Sequence, residues 1–151
     1  MTTAQKTVKL HAVLNRQVAN WNVLYTKLHH FHWYVKGNHF FTLHVKFEEQ
    51  YNEAAERLDA LAERLLAIGG KPVSTLKESL ALATVQEAAG GESAEQMVAA
   101  TVADYESLIA ELAEGIAAAE AEGDSATADL FVSQTADLQK TVWMLNAFLG
   151  Q

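Results

Sequence analysis

The 151-residue chain contains no cysteine, which excludes disulfides, thiolate metal sites and cysteine nucleophiles together. Its single proline and eight glycines are too few turn residues for a sandwich of many short strands, and they exclude collagen-like or low-complexity sequence. No run of about eighteen apolar residues is present, so no segment reads as a membrane-spanning helix. The opening residues, MTTAQKTVKLHAV, lack the apolar core of a signal peptide, and the expected compartment is the cytoplasm. Half of the residues are apolar and a fifth are charged, the composition of a folded globular chain rather than a disordered one. A single domain over residues 1–151 is expected.

Acid is missing from one part of the chain. No Asp or Glu precedes Glu48, whereas Lys6, Lys9, Arg16, Lys27, Lys36 and Lys46 do, so the first 47 residues carry +6. The remainder holds all 19 acids and only five bases, giving −8 overall. An acidic protein repels a phosphate backbone, so weak DNA binding or none is expected. The acids themselves either attract cations or form ordinary solvated helix faces.

Four long segments repeat apolar residues at helical spacing. The first, about 4–35, carries Leu10, Leu14, Trp21, Leu24, Leu28, Phe31 and Val35, and stops at Lys36-Gly37-Asn38. The second, about 40–68, carries Phe47, Tyr51, Ala54, Leu58, Leu61, Leu65 and Ile68, and ends at Gly69-Gly70 and Pro72. The third opens near Ser93, where Ser-Ala-Glu-Gln has capping-box form, and closes at Gly123. The fourth opens near Asp124 or Ser125 and closes at Gly150. Between the second and third lies a long link, 69–92, in which Thr75-Leu-Lys-Glu78 predicts a short extra helix. Two helical hairpins joined by one long crossover make an all-α, ferritin-like four-helix bundle.

On the second helix, His44, Glu48, Asp59 and Glu63 fall at about 0°, 40°, 60° and 100° around the axis, a single polar strip. Each i, i+4 pair could grip one cation. The short turn should fold His32, near the end of the first helix, back beside His44. A His-and-carboxylate set without sulfur suits Fe(II), Mn or Zn. His44 and Asp59 are about 22 Å apart along the helix, too far to share one ion. The pairs are symmetric about residues 53 and 54. An antiparallel copy of this helix, related by a two-fold axis there, would set His44 and Glu48 against Glu63 and Asp59 of the partner. Ala54 and Ala55 would permit the close approach.

The stretch His29-His-Phe-His-Trp-Tyr-Val-Lys-Gly-Asn-His-Phe-Phe-Thr-Leu-His44, continuing through Phe47-Glu-Glu to Asp59-Ala-Leu-Ala-Glu-Arg64, closely resembles the Dps family, the mini-ferritins. The likeness rests on the His-Trp pair at 32 and 33, the Lys-Gly turn, Leu43-His44, and Asp-x-x-x-Glu at 59 and 63. It implies a homododecameric shell with ferroxidase sites at two-fold interfaces. His32, His44 and Glu48 would come from one subunit, and Asp59 and Glu63 from the other. Many family members have Asp where this chain has Glu48.

The resemblance further implies oxidation of Fe(II) by hydrogen peroxide in preference to dioxygen, and storage of Fe(III) as mineral, protecting against oxidative stress. Trp33 matches a tryptophan that family members use to quench radicals, or else it simply packs. Glu49, Glu53 and Glu56 either nucleate mineral or are salt-bridged surface acids. Asp124 and Asp129 either line acidic three-fold pores that admit iron, or, for Asp124, cap a helix. The other function carried by some family members is DNA binding and nucleoid compaction. Those members usually rely on long basic tails; here Lys6 and Lys9 are the only charges before Arg16.

Overall fold

The computed structural model describes residues 3–151, with side chains from Lys9 onward. Five helices follow one another: α1 Thr3–Tyr34, α2 Phe40–Ala67, α3 Leu76–Leu82, α4 Ala94–Glu122 and α5 Ser125–Leu149. Among the described residues there is no strand. Helices α1 and α2 form one antiparallel hairpin, α4 and α5 the other, and α3 sits in the crossover. This is the ferritin-like bundle that the periodicity implied.

The capping chemistry explains where the helices begin. Thr75 and Glu78 exchange side-chain and backbone hydrogen bonds as a complete capping box, and so do Ser93 and Gln96. At the tight α4–α5 corner, Gly123 takes φ 74°, a left-handed conformation that glycine adopts without a side-chain clash. Asp124 then caps α5 by accepting a hydrogen bond from the Thr127 backbone N–H at 3.0 Å.

The sequence stripes form the core. All seven residues of the first stripe are buried, six in α1 and Val35 just after it, and Trp21, Tyr105, Phe31, Phe47 and Phe131 are the largest fully enclosed side chains of the core. Trp21 meets Tyr105 of α4 with ring centroids 5.9 Å apart, and Phe31 meets Phe47 of α2 at 5.5 Å. Each such burial contributes about 1.5–3 kcal/mol before entropy is counted. Gly115 lets α4 and α5 approach closely, since a Cβ there would lie 2.6 Å from the Phe131 ring.

Polar residues of α1 hold the crossover. Asn15 donates to the Lys71 carbonyl at 2.9 Å and accepts from the Val73 N–H at 2.8 Å. Asn22 donates to the Ser79 hydroxyl, and Asn20 accepts from the backbone N–H groups of Thr84 and Val85. Beneath them, Glu111 of α4 accepts from Arg16, Gln17 and Asn20 at 2.9–3.1 Å, and also from the Thr84 hydroxyl. One carboxylate therefore joins α1, α4 and the crossover.

Candidate metal centre

The α1–α2 turn brings His32 and His44 face to face, with centroids 3.7 Å apart and planes 18° from parallel. Each ring is locked by the other's backbone. His32 Nδ1 lies 2.7 Å from the His44 carbonyl, and His44 Nδ1 lies 2.8 Å from the His32 carbonyl. A carbonyl oxygen only accepts, so both Nδ1 atoms carry the proton. In the neutral imidazole this tautomer puts the lone pair on Nε2, the form in which imidazole binds a metal. Phe40 stacks on the far side of His44 at 4.9 Å, fixing that ring further. His32 is buried and His44 half-buried, while Glu48, one turn along α2, is exposed.

Asp59 and Glu63 are also exposed, further along the same strip of α2. Asp59 borders a groove walled by Tyr25, Leu58, Ala62, Pro72 and Val73. Among the described residues, no three His, Asp or Glu side chains of the single chain gather closely enough to hold an ion. The two halves of the strip are therefore separate within one subunit. Ala54 departs from its expected place: it is fully buried in this chain's own core, and the partly exposed Ala55 faces outward instead. The reason is helical phase, since Ala54 shares the buried side of α2 with Phe47, Leu61 and Leu65.

The residues matched in sequence now stand on a matching fold. The ferritin-like domain family covers residues 11–151. DNA protection during starvation protein 2 of Bacillus anthracis is 57% identical over 139 residues, spanning 92% of this chain and 95% of its own. General stress protein 20U of Bacillus subtilis is 53% identical over 142 residues, spanning 94% of this chain and 98% of its own. The crystal structure of a Dps protein from Bacillus brevis superposes with a TM-score of 0.95 at 52% identity, covering 99% of both chains. The chain belongs to the Dps family.

On this Dps fold, two features emerge that the sequence did not single out. Tyr51, read only as a stripe residue, stands edge-on to His32 at 5.3 Å and stacks on His29 at 3.7 Å. Partial burial and the neighbouring Glu48 carboxylate hold its hydroxyl above the usual phenol range. His29 is anchored by its Nδ1 donating to the Tyr25 carbonyl, and it touches the ring of Trp33 at 5.2 Å. Trp33 is 67% exposed, so its bulk is not used in this chain's core. The i, i+3 relation of His29 to His32 was the available signal.

The second feature is a clamp between α2 and α5. Arg64 donates from Nη2 to Asp124 at 2.7 Å and from Nε to the Thr127 hydroxyl at 2.8 Å. Asp124 is thus both cap and ion-pair partner. Burial alone would raise its carboxyl, but hydrogen bonds from Thr127 and Arg64 hold it below the usual range. Asp129 is exposed on the following turn. Of the remaining acids, Glu49 pairs with Lys46, Glu53 lies 3.9 Å from Arg57, and Glu56 is exposed. No helix among the described residues is long and apolar enough to cross a membrane.

Proposed function

We propose that this chain stores and detoxifies iron, oxidising Fe(II) with hydrogen peroxide, and less readily with dioxygen, at sites shared between two subunits of a homododecamer. The observation that carries the reading is the reciprocal locking of His32 and His44, which leaves Nε2 of each neutral ring as the atom able to bind a metal, with Glu48 one turn along α2. Asp59 and Glu63 lie at the mirror distance along the same helix, so a two-fold partner would complete each site. The apolar groove beside Asp59 gives that partner a surface to bury.

In the reaction, two Fe(II) ions each give one electron to peroxide. The O–O bond breaks, and two protons from solvent complete two waters. Both electrons arrive together, so no hydroxyl radical is released. The protein positions the ions, and its carboxylates compensate the extra positive charge of Fe(III). The ferric ions then hydrolyse and deposit inside the shell, with Glu49, Glu53 and Glu56 as nucleation surface. Asp129, free of the clamp that occupies Asp124, is the better placed of the two acids to draw cations through a pore. Trp33, exposed beside the site and linked to it through His29 and Tyr51, is placed to intercept a stray oxidising equivalent.

Anaerobic addition of Fe(II) followed by peroxide titration tests the reading. Ferric absorbance should rise to an end point of two Fe(II) per peroxide. An end point of one Fe(II) per peroxide with trapped hydroxyl radical would reject it.

The names of several relatives speak of DNA protection. For this chain the net charge of −8 favours protection by removal of iron and peroxide over DNA binding and compaction. A gel-shift at low and moderate salt separates the two. A salt-resistant shift, or DNA protection by a variant unable to oxidise iron, would favour the nucleoid-compacting reading.

A further inference from the structure

His30 stands two residues before His32 but about 160° away from it around α1, on the side that meets the end of the crossover. Across from it is Glu92, just before α4. His30 Nε2 and Glu92 Oε2 lie 3.9 Å apart. Both atoms are buried, and neither has a hydrogen-bond partner among the described residues. The separation discriminates between ways of satisfying them. A direct hydrogen bond needs about 2.9 Å, roughly an ångström less. A zinc-sized cation sits about 2.0–2.2 Å from an imidazole nitrogen or a carboxylate oxygen, so two such bonds end to end span about 4.1 Å. The gap therefore admits such an ion at a wide angle, and closing it by about half an ångström gives the tetrahedral one.

Both groups are held in place from behind. Glu92 Oε1 accepts from the Ala89 N–H at 2.8 Å, which leaves Oε2 for His30. Burial alone would raise the Glu92 carboxyl, but backbone hydrogen bonds from Glu92 itself, Ala89 and Gly90 hold it below the usual range, so it is ionised at neutral pH. The His30 ring packs against Tyr34 at 4.6 Å and Phe31 at 6.1 Å. Contacts of this outer kind are what orient metal ligands.

A third donor is at hand. Glu87 borders both the groove that His30 lines and the neighbouring one that Glu92 lines, and its exposed side chain can swing toward either. Lys27 borders both grooves too, but its ammonium is paired with Asp104 of α4 at 2.7 Å, which offsets its charge. Two donors in place and one that must move agree with the finding that no three are already gathered among the described residues.

We propose that His30 Nε2, Glu92 Oε2 and the Glu87 carboxylate bind a divalent first-row metal ion, Zn(II) above all, with water as the fourth ligand. One imidazole with carboxylates and no sulfur suits such an ion. It ties α1 to the segment that enters α4, beyond the links made by Asn15, Asn20 and Asn22. The site takes no part in iron oxidation and does not depend on the ferroxidase reading.

Assembled protein is loaded with Zn(II) and desalted, and bound zinc is counted. Crystals soaked in Zn(II) are read by anomalous scattering at the zinc edge. Zinc can also enter the ferroxidase site, so the position of each peak decides, and not the count alone. The expected result is a peak between His30 and Glu92 in the wild type. His30→Gln and Glu92→Gln should each remove that peak and lower bound zinc by about one ion per subunit. Glu87→Gln should weaken binding there several-fold. Zinc should raise the melting temperature of the wild type more than that of His30→Gln. Zinc-free variants should keep the wild-type initial rate of peroxide-dependent iron oxidation. Glu92→Gln stands in if His30→Gln fails to fold. A wild type that fails to oxidise iron but shows the peak would sink the ferroxidase reading and leave this one standing. A direct His30–Glu92 contact or a water in place of the peak would overturn the proposal, as would a folded His30→Gln that binds zinc there as well as the wild type.

Discussion

Glu111 gathers four side-chain donors from α1 and the crossover onto one carboxylate. Truncating it to Ala would leave Arg16, Gln17, Asn20 and Thr84 without their common acceptor. The expected loss is about 3 kcal/mol, because a largely buried charged network is broken; Arg16 keeps Glu114 and Thr84 keeps Asn20, but the Gln17 amide loses its acceptor. A denaturation midpoint within error of wild type would contradict this. Asp124 makes a pH-dependent contribution. Its carboxyl is held below the usual range in the folded chain, so its stabilisation is fully present above the unfolded value of about 3.9. That stabilisation is lost as pH falls through the lower folded value. In Asp124→Asn the acid-side fall in melting temperature should therefore be shallower than in wild type; parallel curves would refute the clamp's role. The strip of His44, Glu48, Asp59 and Glu63 could be drawn from sequence because spacing along α2 fixes their phase, and the short α1–α2 turn put His32 beside His44. The ring contacts of Tyr51 with His29 and His32 were not legible there, because they depend on what faces it from α1, and periodicity records only that a residue points inward.

At the scale of elements, stripes and caps decided most of the architecture. Thr75 and Ser93 marked the starts of α3 and α4 because a capping box is a local chemical unit that needs no tertiary partner. Glycine at the corner after α4 was equally local. The clamp from Arg64 to Asp124 spans 60 residues and left no local trace. The closeness of α4 and α5 was hidden too, since nothing near Gly115 in sequence announces Phe131. Gly115→Val should force the two helices apart, given that even a Cβ would lie 2.6 Å from that ring. Overpacking of this kind costs about 1–3 kcal/mol. The variant should melt lower and exchange the amides of the α4–α5 hairpin faster. Unchanged exchange there would show that the helices tolerate separation.

At the scale of the whole molecule, the proposed shared site would draw one half from each end of α2, so activity and assembly are predicted to be inseparable. Light scattering at micromolar concentration should give the mass of a dodecamer; a monomer mass would end the shared-site reading. The most direct measurement uses two variants, His32→Ala with His44→Ala, and Asp59→Ala with Glu63→Ala. Each alone should lose rapid peroxide-dependent oxidation, because every site lacks half its ligands. The two are then dissociated, mixed equally and reassembled, with subunit exchange verified by mass spectrometry. In each mixed pair one site inherits both defects and the other inherits none. Random pairing should therefore restore about a quarter of wild-type sites. No recovery after verified exchange would mean that each site is built within one subunit, and would contradict the account.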